Sequence, residues 1–145
     1  MSSRVQLALN VSDVDQAVDF YIKLFQTEPA KRKPGYANFA IADPPLKLVL
    51  IENPGAQSRL NHLGVEVFSQ EAVVEAHDRL QAGGLQVLNE DGVACCYAVQ
   101  DKVWVSDPDA APWEIYTVLE HSDQAGRVTD GVPCACGAAD AAGCA

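Results

Sequence analysis

Apolar and polar residues alternate with a period of two along residues 5–11, and the same alternation returns along residues 60–67. This period is typical of a strand whose two faces meet different surroundings. After each stretch, apolar residues recur three and four positions apart, which predicts an amphipathic helix. We expect Ser12 to cap the first helix and Ser69 the second, because a hydroxyl oxygen accepts hydrogen bonds from the free amides of a helix start.

Three short strands are predicted after each helix. Pro34-Gly35 and Pro44-Pro45 divide residues 29–51 into three extended segments. The corresponding strands of the second half are predicted at about residues 86–89, 102–106 and 113–119. The order β-α-β-β-β therefore occurs twice. We predict an α+β fold of two βαβββ modules, with helices on one face of mainly antiparallel sheets and the other faces curled toward a shared cleft.

The two modules align residue by residue. Gln6 falls over His62 with an offset of 56 residues, and Lys47 falls over Glu114 with an offset of 67. A repeated sequence pattern indicates a repeated structural unit. The second module therefore contains about 11 extra residues, which lie between its helix and its last strand.

One domain is expected over residues 1–121, with modules at about 4–52 and 60–119. A chain of 145 residues is long enough for one compact core. Hydrophobic periodicity stops near His121. Residues 122–145 are rich in Ala, Gly, Asp and Cys, and we predict that they form a disordered tail.

Charge and hydropathy exclude two classes of partner. A net charge of −10 argues against nucleic acid and against an anionic membrane surface. No apolar run reaches the roughly 18 residues that a membrane span needs. The first four residues run directly into the first strand and leave no room for a signal peptide. We therefore expect a cytoplasmic protein whose five cysteines are reduced thiols or ligands rather than disulfides.

The polar faces of the strands suggest a metal site. Strand alternation places Gln6, His62 and Glu114 on the faces opposite the helices, and a pseudo-twofold axis between the modules would bring them together. The fourth equivalent position is Lys47, which does not ligate a metal while it is protonated. A nitrogen and oxygen donor set with open positions suits a divalent first-row metal. Each residue alone would more often be structural, but the alignment of the modules favours a site.

The adjacent Cys95 and Cys96 lie in the inserted stretch, after a turn-rich segment at residues 89–92. Two neighbouring thiolates can bind one soft centre such as As(III) or Cd(II). The alternative is that one cysteine is buried and the other exposed by chance. The tail cysteines fit either accessory metalloid capture or an incidental role, and these are Cys134, Cys136 and Cys144.

These features together resemble a known family. The repeated β-α-β-β-β pattern is similar to the vicinal-oxygen-chelate superfamily of glyoxalases and extradiol dioxygenases. Several segments also resemble the organoarsenical C–As lyases, whose members are often named cadmium-induced proteins. The resemblance covers roughly residues 4–119, and its matching segments are residues 4–9, 34–41, 44–52, 61–66 and 94–105. The combination of His, Glu and adjacent cysteines is more specific than any one of them.

The resemblance implies an Fe(II)-dependent dioxygenase that uses O₂ to break the carbon–arsenic bond of trivalent organoarsenicals. Methylarsenite and trivalent aromatic arsenicals would yield inorganic arsenite, which is a detoxification. It also implies that Gln6, His62 and Glu114 are the catalytic iron ligands and that Cys95 and Cys96 bind the arsenic. On this reading the insertion is a mobile loop that admits substrate, and a homodimer is plausible.

Two other functions fit the same residues less well. A protein that sequesters Cd(II) or As(III) without catalysis would suit the cysteines and the acidic charge, but it would not need ligands with open positions. A glyoxalase-type isomerase or a catechol-cleaving enzyme would keep the fold, but neither explains the thiol pair. The sequence leaves open which organic substituents on arsenic are accepted and whether the site forms within one chain.

Overall fold

A computed structural model describes residues 3–95 and 98–121 of the chain, without the side chains of Cys95 and His121. Cys96 and the predicted tail over residues 122–145 lie outside the described residues, and so do the three tail cysteines. No helix within the described ranges is long and apolar enough to cross a membrane.

The described elements follow the predicted order, β-α-β-β-β twice. They are β1 (Ser3–Val11), α1 (Val14–Phe25), β2 (Lys31–Lys33), β3 (Tyr36–Ile41), β4 (Leu46–Glu52), β5 (Leu60–Val67), α2 (Gln70–Ala82), β6 (Leu88–Cys95), β7 (Ala98–Ser106) and β8 (Pro112–His121). The α+β class and its two βαβββ modules are thus confirmed.

Both helices begin at side-chain caps. Ser69 accepts a hydrogen bond from the amide of Ala72, as predicted. The cap of α1 is Asp13 rather than Ser12, because the extended backbone of Asp13 lets its carboxylate accept from the amide of Gln16. The prediction of Ser12 was therefore wrong by one position.

All eight strands form one sheet in the order β2-β3-β4-β1-β5-β8-β7-β6. The modules join where β1 and β5 pair antiparallel, and Leu7 lies opposite Leu63, its counterpart in the repeat. A strand pair in which a residue faces its own counterpart is what a twofold axis between the modules requires. Within each module the first and last strands pair in parallel, and the remaining neighbours are antiparallel.

Each helix covers its own module and builds a separate apolar core on the same side of the sheet. Helix α1 packs Val14 and Val18 on β3 and β4, around the fully buried Phe39. Helix α2 packs Val73 and Ala76 on β7 and β8. Burial of these apolar side chains is the main force that holds each helix to its sheet. The opposite face of the sheet is therefore free to carry polar groups.

The strand register differs between the modules. Gln6 pairs with Lys47 in the first, whereas Gly64, rather than His62, pairs with Glu114 in the second. A shift of two residues preserves the face on which each side chain lies, because side chains alternate with a period of two. The alternation in the sequence therefore assigned the faces correctly, whereas the alignment of Lys47 with Glu114 does not extend to their partners across the strand pairs.

The inserted residues form a β-hairpin up to Cys95, where a loop was expected. Strands β6 and β7 extend well beyond the predicted segments 86–89 and 102–106. The turn-like Asp91-Gly92 is a β-bulge, in which two residues lie opposite Asp101. Gly92 has a φ of 61°, and its amide donates to Asp101 Oδ1 at 2.6 Å. A glycine that predicts a turn is thus accommodated within a strand pair.

Candidate functional site

A pocket opens on the face of the sheet opposite the helices. Its walls combine lysines, amides and tyrosines with a few small apolar residues. The lining residues are Gln6, Lys31, Tyr36, Asn38, Lys47, Val49, His62, Ala98, Gln100, Lys102, Glu114, Tyr116 and Val118. Both modules contribute to this wall, so the pocket is a property of the joined sheet.

Three side chains predicted to converge do meet in this pocket, within one chain. Gln6 Nε2 lies 2.6 Å from Glu114 Oε1 and 3.0 Å from His62 Nε2. His62 Nε2 lies 3.1 Å from the same Glu114 oxygen. All three residues are buried. The strands that hold them, β1, β5 and β8, are adjacent in the sheet.

Gly64 allows this close approach. It lies directly between Gln6 on β1 and Glu114 on β8 in the strand register. A Cβ at this position would lie 3.0 Å from both Cγ and the carbonyl oxygen of Glu114, and 3.2 Å from Gln6 Nε2. Any larger residue would therefore force the two side chains apart.

Lys102 forms a buried ion pair with the Glu114 carboxylate. Its Nζ donates to Glu114 Oε2 at 2.9 Å, and both groups are almost fully buried. Burial alone would raise the pKa of Glu114, but the charge of Lys102 opposes burial, and that pKa lies well below its usual range. Glu114 is therefore an anionic carboxylate in the folded protein.

Sequence reasoning missed Lys102 as part of the site. The available signal was its position in β7. Lys102 lies two residues from Gln100 and from Trp104, so the three share the face that points away from the helices. A lysine on an inward-pointing position of a strand is unusual and needs a partner. Its partner could not be named, because the pairing of β7 with β8 was not known.

Tyr116 holds Gln6. Its hydroxyl donates to Gln6 Oε1, and this pair lies in the buried part of the site. Burial raises the pKa of Tyr116 well above its usual value, and the negative charges of Glu66 and Glu114 raise it further. The hydroxyl therefore keeps its proton and remains a hydrogen-bond donor. Tyr116 was predicted only to share a face with Glu114.

Lys47 lies in the pocket beside the converging residues but forms no contact with them of the kind that Lys102 makes. Burial lowers its pKa, the charge of Glu66 opposes that effect, and Arg4 adds to it. Arg4 itself forms an ion pair with Glu66. Lys47 thus occupies the fourth equivalent position, where burial makes its charged form less favourable than it is in water.

The backbone of Cys95 ends strand β6, and its partner across the hairpin is Ala98. Ala98 lines the pocket. The hairpin therefore brings the Cys95 backbone to the edge of the pocket that holds the converging residues. Cys96 lies outside the described residues. Of the predicted thiol pair, the structure therefore locates only the backbone of Cys95.

The converging atoms fit a divalent metal. His62 Nδ1 lies 2.7 Å from Asn61 Oδ1, and a ring proton on Nδ1 would leave Nε2 as an acceptor facing the anionic Glu114. Two acceptors that face each other need a positive group between them, and the Gln6 amide hydrogens serve that purpose here. A metal would require the Gln6 amide turned so that its oxygen faces inward. Tyr116 suits both orientations, because a hydroxyl donates and accepts.

The donor set is unusual in using an amide. No group of three His, Cys, Asp or Glu side chains that could hold a metal occurs within residues 3–95 and 98–121. In the converging set, a third donor to a metal would be the amide oxygen of Gln6. One nitrogen and two oxygen donors on one side of a metal leave further positions open, a geometry associated with non-haem iron.

Comparison with known proteins defines the family. The model of the Glyoxalase/Bleomycin resistance protein/Dioxygenase superfamily matches residues 4–115, and the chain belongs to this superfamily. Its fold is the vicinal-oxygen-chelate fold that the sequence predicted. The Mn(II)-bound glyoxalase from Novosphingobium aromaticivorans superposes with a TM-score of 0.57 at 19% identity, over 90% of this chain and 43% of that chain. At this identity the likeness shows the fold alone.

Two relatives are much more similar in sequence. The cadmium-induced protein CadI of Mycobacterium bovis is 61% identical over 124 residues, which cover 86% of this chain and 82% of that protein. The trivalent organoarsenical cleaving enzyme of Thermomonospora curvata is 55% identical over 133 residues, 91% of this chain and 88% of the enzyme. The predicted resemblance to proteins with these names is confirmed.

Proposed function

We propose that this protein is an Fe(II)-dependent dioxygenase that breaks the carbon–arsenic bond of trivalent organoarsenicals and releases inorganic arsenite. The observation that carries the proposal is the convergence of Gln6, His62 and Glu114 within 3.1 Å of one another in a pocket that the Cys95 hairpin borders. The similarity to an enzyme named for cleaving trivalent organoarsenicals supports it. The biological role would be the detoxification of these compounds.

The residues of the converging set would hold the iron through the Gln6 amide oxygen, His62 Nε2 and the Glu114 carboxylate. Bound Fe(II) would supply the one-electron chemistry that lets dioxygen react with a spin-paired organic molecule. Lys102 keeps the Glu114 carboxylate in place, and Trp104 packs its ring edge-on to His62 at a centroid distance of 5.5 Å. These contacts hold the ligands in a water-poor environment.

Cys95 and Cys96 would bind the trivalent arsenic as thiolates at the pocket edge. A soft thiolate pair displaces hydroxyl groups from arsenic and leaves the carbon–arsenic bond intact. The organic substituent would then point toward the pocket. Methylarsenite and aromatic arsenicals both satisfy this requirement, because the thiolates recognise arsenic rather than its substituent.

The reaction balances for the simplest substrate. Methylarsenous acid and one molecule of O₂ give formaldehyde and arsenous acid. The carbon–arsenic bond breaks, one oxygen atom ends on carbon and the other on arsenic, and a methyl hydrogen ends as a proton on the arsenic-bound oxygen. Carbon is oxidised, O₂ is reduced, and arsenic stays trivalent, so no further reductant is needed.

The test is anaerobic loading with Fe(II), followed by methylarsenite, a thiol reductant and air. We expect O₂ consumption to match the appearance of inorganic arsenite and formaldehyde, measured by arsenic speciation and aldehyde assay. His62→Ala should abolish turnover, whereas His77→Ala should not, because His77 lies on α2, which packs on the face of the sheet opposite the pocket, and contacts Asp78 there. Intact methylarsenite after air exposure would refute the proposal.

Separate variants test the thiolates. Cys95→Ala or Cys96→Ala should reduce turnover sharply and leave iron content nearly unchanged. Cys134→Ala is the matched control, since it also removes one thiol. Full activity in both single variants would show that the substrate-binding role is wrong.

Sequestration of Cd(II) or As(III) is the second candidate, and the similarity to a cadmium-induced protein favours it. It predicts tight stoichiometric arsenic binding with the methyl group retained and no need for O₂. The same speciation experiment therefore distinguishes the two functions.

A further inference from the structure

A β-bulge lies next to His62. Across the β1–β5 pair, Ala8 is opposite His62 and Leu9 is opposite Leu60, so Asn61 has no partner residue. Neighbouring side chains on a regular strand point to opposite faces, but a bulge re-aims one of them. Asn61 Oδ1 consequently lies 2.7 Å from Nδ1 of His62 itself.

Asn61 is the middle residue of a longer chain of hydrogen bonds, which we call the relay. Asn61 Nδ2 donates to Asn10 Oδ1 at 3.1 Å, and Asn10 Nδ2 donates to the backbone carbonyl of Ser58 at 2.9 Å. Oxygen and nitrogen ends of an amide are hard to tell apart by shape, but the order of donors along this relay follows from its end. A carbonyl has no hydrogen to give, so Asn10 must present nitrogen to Ser58 and oxygen to Asn61.

The same argument about donors and acceptors determines which nitrogen of the His62 imidazole carries the proton. Asn61 must donate to the Asn10 oxygen, which leaves its own oxygen facing His62. An oxygen acceptor at 2.7 Å requires a proton on Nδ1. Nε2 of the neutral ring is then the atom with a free lone pair, and it is the atom that faces Gln6 and Glu114.

We propose that Asn61 and Asn10 are positioning residues that fix His62 in the Nδ1-protonated tautomer, and thereby aim Nε2 at a divalent cation held with Gln6 and Glu114. The metal part of this inference rests on the proposed function, whereas the tautomer does not. The nitrogen that binds a metal is set by the hydrogen bond that the other nitrogen makes.

Gln6, in the first module, has no equivalent of this chain of hydrogen bonds among the described residues. The counterpart of His62 is Gln6, which has no tautomer to fix, and the counterpart of Asn61 is Val5. Val5 cannot hydrogen-bond through its side chain and is about half exposed. Of the two aligned positions, only the one beside the histidine therefore has an asparagine and a bulge.

The primary test is long-range ¹H–¹⁵N NMR of the metal-free protein at neutral pH, with His77 as the internal reference. We expect His62 to show a proton on Nδ1. A proton on Nε2 instead would overturn the proposal, whatever the variants do. This measurement does not depend on activity.

Variants test the roles of the two asparagines. Asn61→Leu should lose the Nδ1 tautomer and weaken binding of Zn(II), used as a diamagnetic probe, about 10- to 100-fold. Asn10→Leu should do the same to a smaller degree. Asn61→Asp keeps the acceptor oxygen and should keep the Nδ1 proton, and Asn89→Leu is the control, since Asn89 is an exposed residue of β6.

An unchanged tautomer and Zn(II) affinity in Asn61→Leu would refute the positioning role. Should that variant fail to fold, the wild-type NMR spectrum and the Asn61→Asp variant still decide the tautomer. If the tautomer depends on Asn61 as expected but the iron-loaded protein does not cleave methylarsenite, the proposed function fails and this inference stands.

Discussion

Single residues decide the geometry of the candidate site, because each converging side chain has its own supporting partner. Tyr116 binds Gln6 and Lys102 binds Glu114, while Asn61 binds the outer nitrogen of His62. Such partners orient ligands and are as necessary as the ligands themselves. The consequences of changing them can be stated one residue at a time.

Gly64→Ala should separate Gln6 from Glu114, because the added methyl group would lie 3.0 Å from Glu114. Overpacking of this kind typically costs about 1–3 kcal/mol, and we expect a comparable loss of Zn(II) binding free energy. Isothermal titration and thermal unfolding measure the two effects. Gly55→Ala is the control, because nothing lies within 4 Å of its Cβ position. Equal Zn(II) affinities in the two variants would contradict the argument.

Stability should fall in acid through Glu114. Its pKa is lowered in the folded state from the ordinary value of 4.5, so its contribution is complete above pH 4.5 and is lost progressively as the pH falls below that value. Urea unfolding between neutral pH and pH 3 should show this loss in the wild type. Glu114→Gln should flatten the pH dependence, and Lys102→Met should reduce it. An unchanged acid dependence in both variants would show that other carboxyls are responsible.

At the scale of elements, the hairpin of β6 and β7 differs most from its prediction. The sequence Asn89-Glu90-Asp91-Gly92 has the composition of a turn, yet it forms a bulge in a long strand pair. Helices were predicted better, because a period of three to four residues is a strong local signal. The bulge would matter for the proposed function, since the strand that contains it ends at Cys95.

Gly92→Ala should disturb this hairpin, because Gly92 has a φ of 61° that costs an alanine about 1–2 kcal/mol. We expect organoarsenical turnover to fall while Zn(II) affinity stays unchanged, since the proposed metal ligands lie on β1, β5 and β8. Gly92→Asn is the matched variant and should be milder, because asparagine tolerates this conformation. A change in Zn(II) affinity would indicate that the hairpin supports the metal residues directly.

At the scale of the whole molecule, the site exists because two modules form one sheet. Gln6 comes from the first module and His62 and Glu114 from the second, and the β1–β5 pair joins them. Neither module alone contains the donor set. The two helices lie on the side of the sheet away from the pocket, so they stabilise the strands without contributing to the site.

The domain boundary remains a prediction, and we expect residues 1–121 to contain the whole fold. A chain that ends at His121 should unfold within about 0.5 kcal/mol of the full chain and bind Zn(II) equally well, because β8 is then intact. A chain that ends at Ala111 removes β8 with Glu114 and should neither fold stably nor bind Zn(II). A large loss of stability in the first chain would place part of the core in the tail.

The sequence by itself determined the element order, the repeat and the faces of the strands. These are local properties, because strand and helix periods are visible within a few residues of each other. The positions of Gln6, His62 and Glu114 on one face could therefore be predicted from alternation and from the offsets of 56 and 67 residues between the modules.

Only the tertiary structure decided which atoms meet. The contacts of Lys102 with Glu114 and of Tyr116 with Gln6 depend on strand pairing between distant segments. The bulge at Asn61 and the two-residue register shift at Glu114 likewise leave no local trace, because both follow from how neighbouring strands fit together. Periodicity assigns a side chain to a face, whereas its distance from another side chain is set by the packing of the whole sheet.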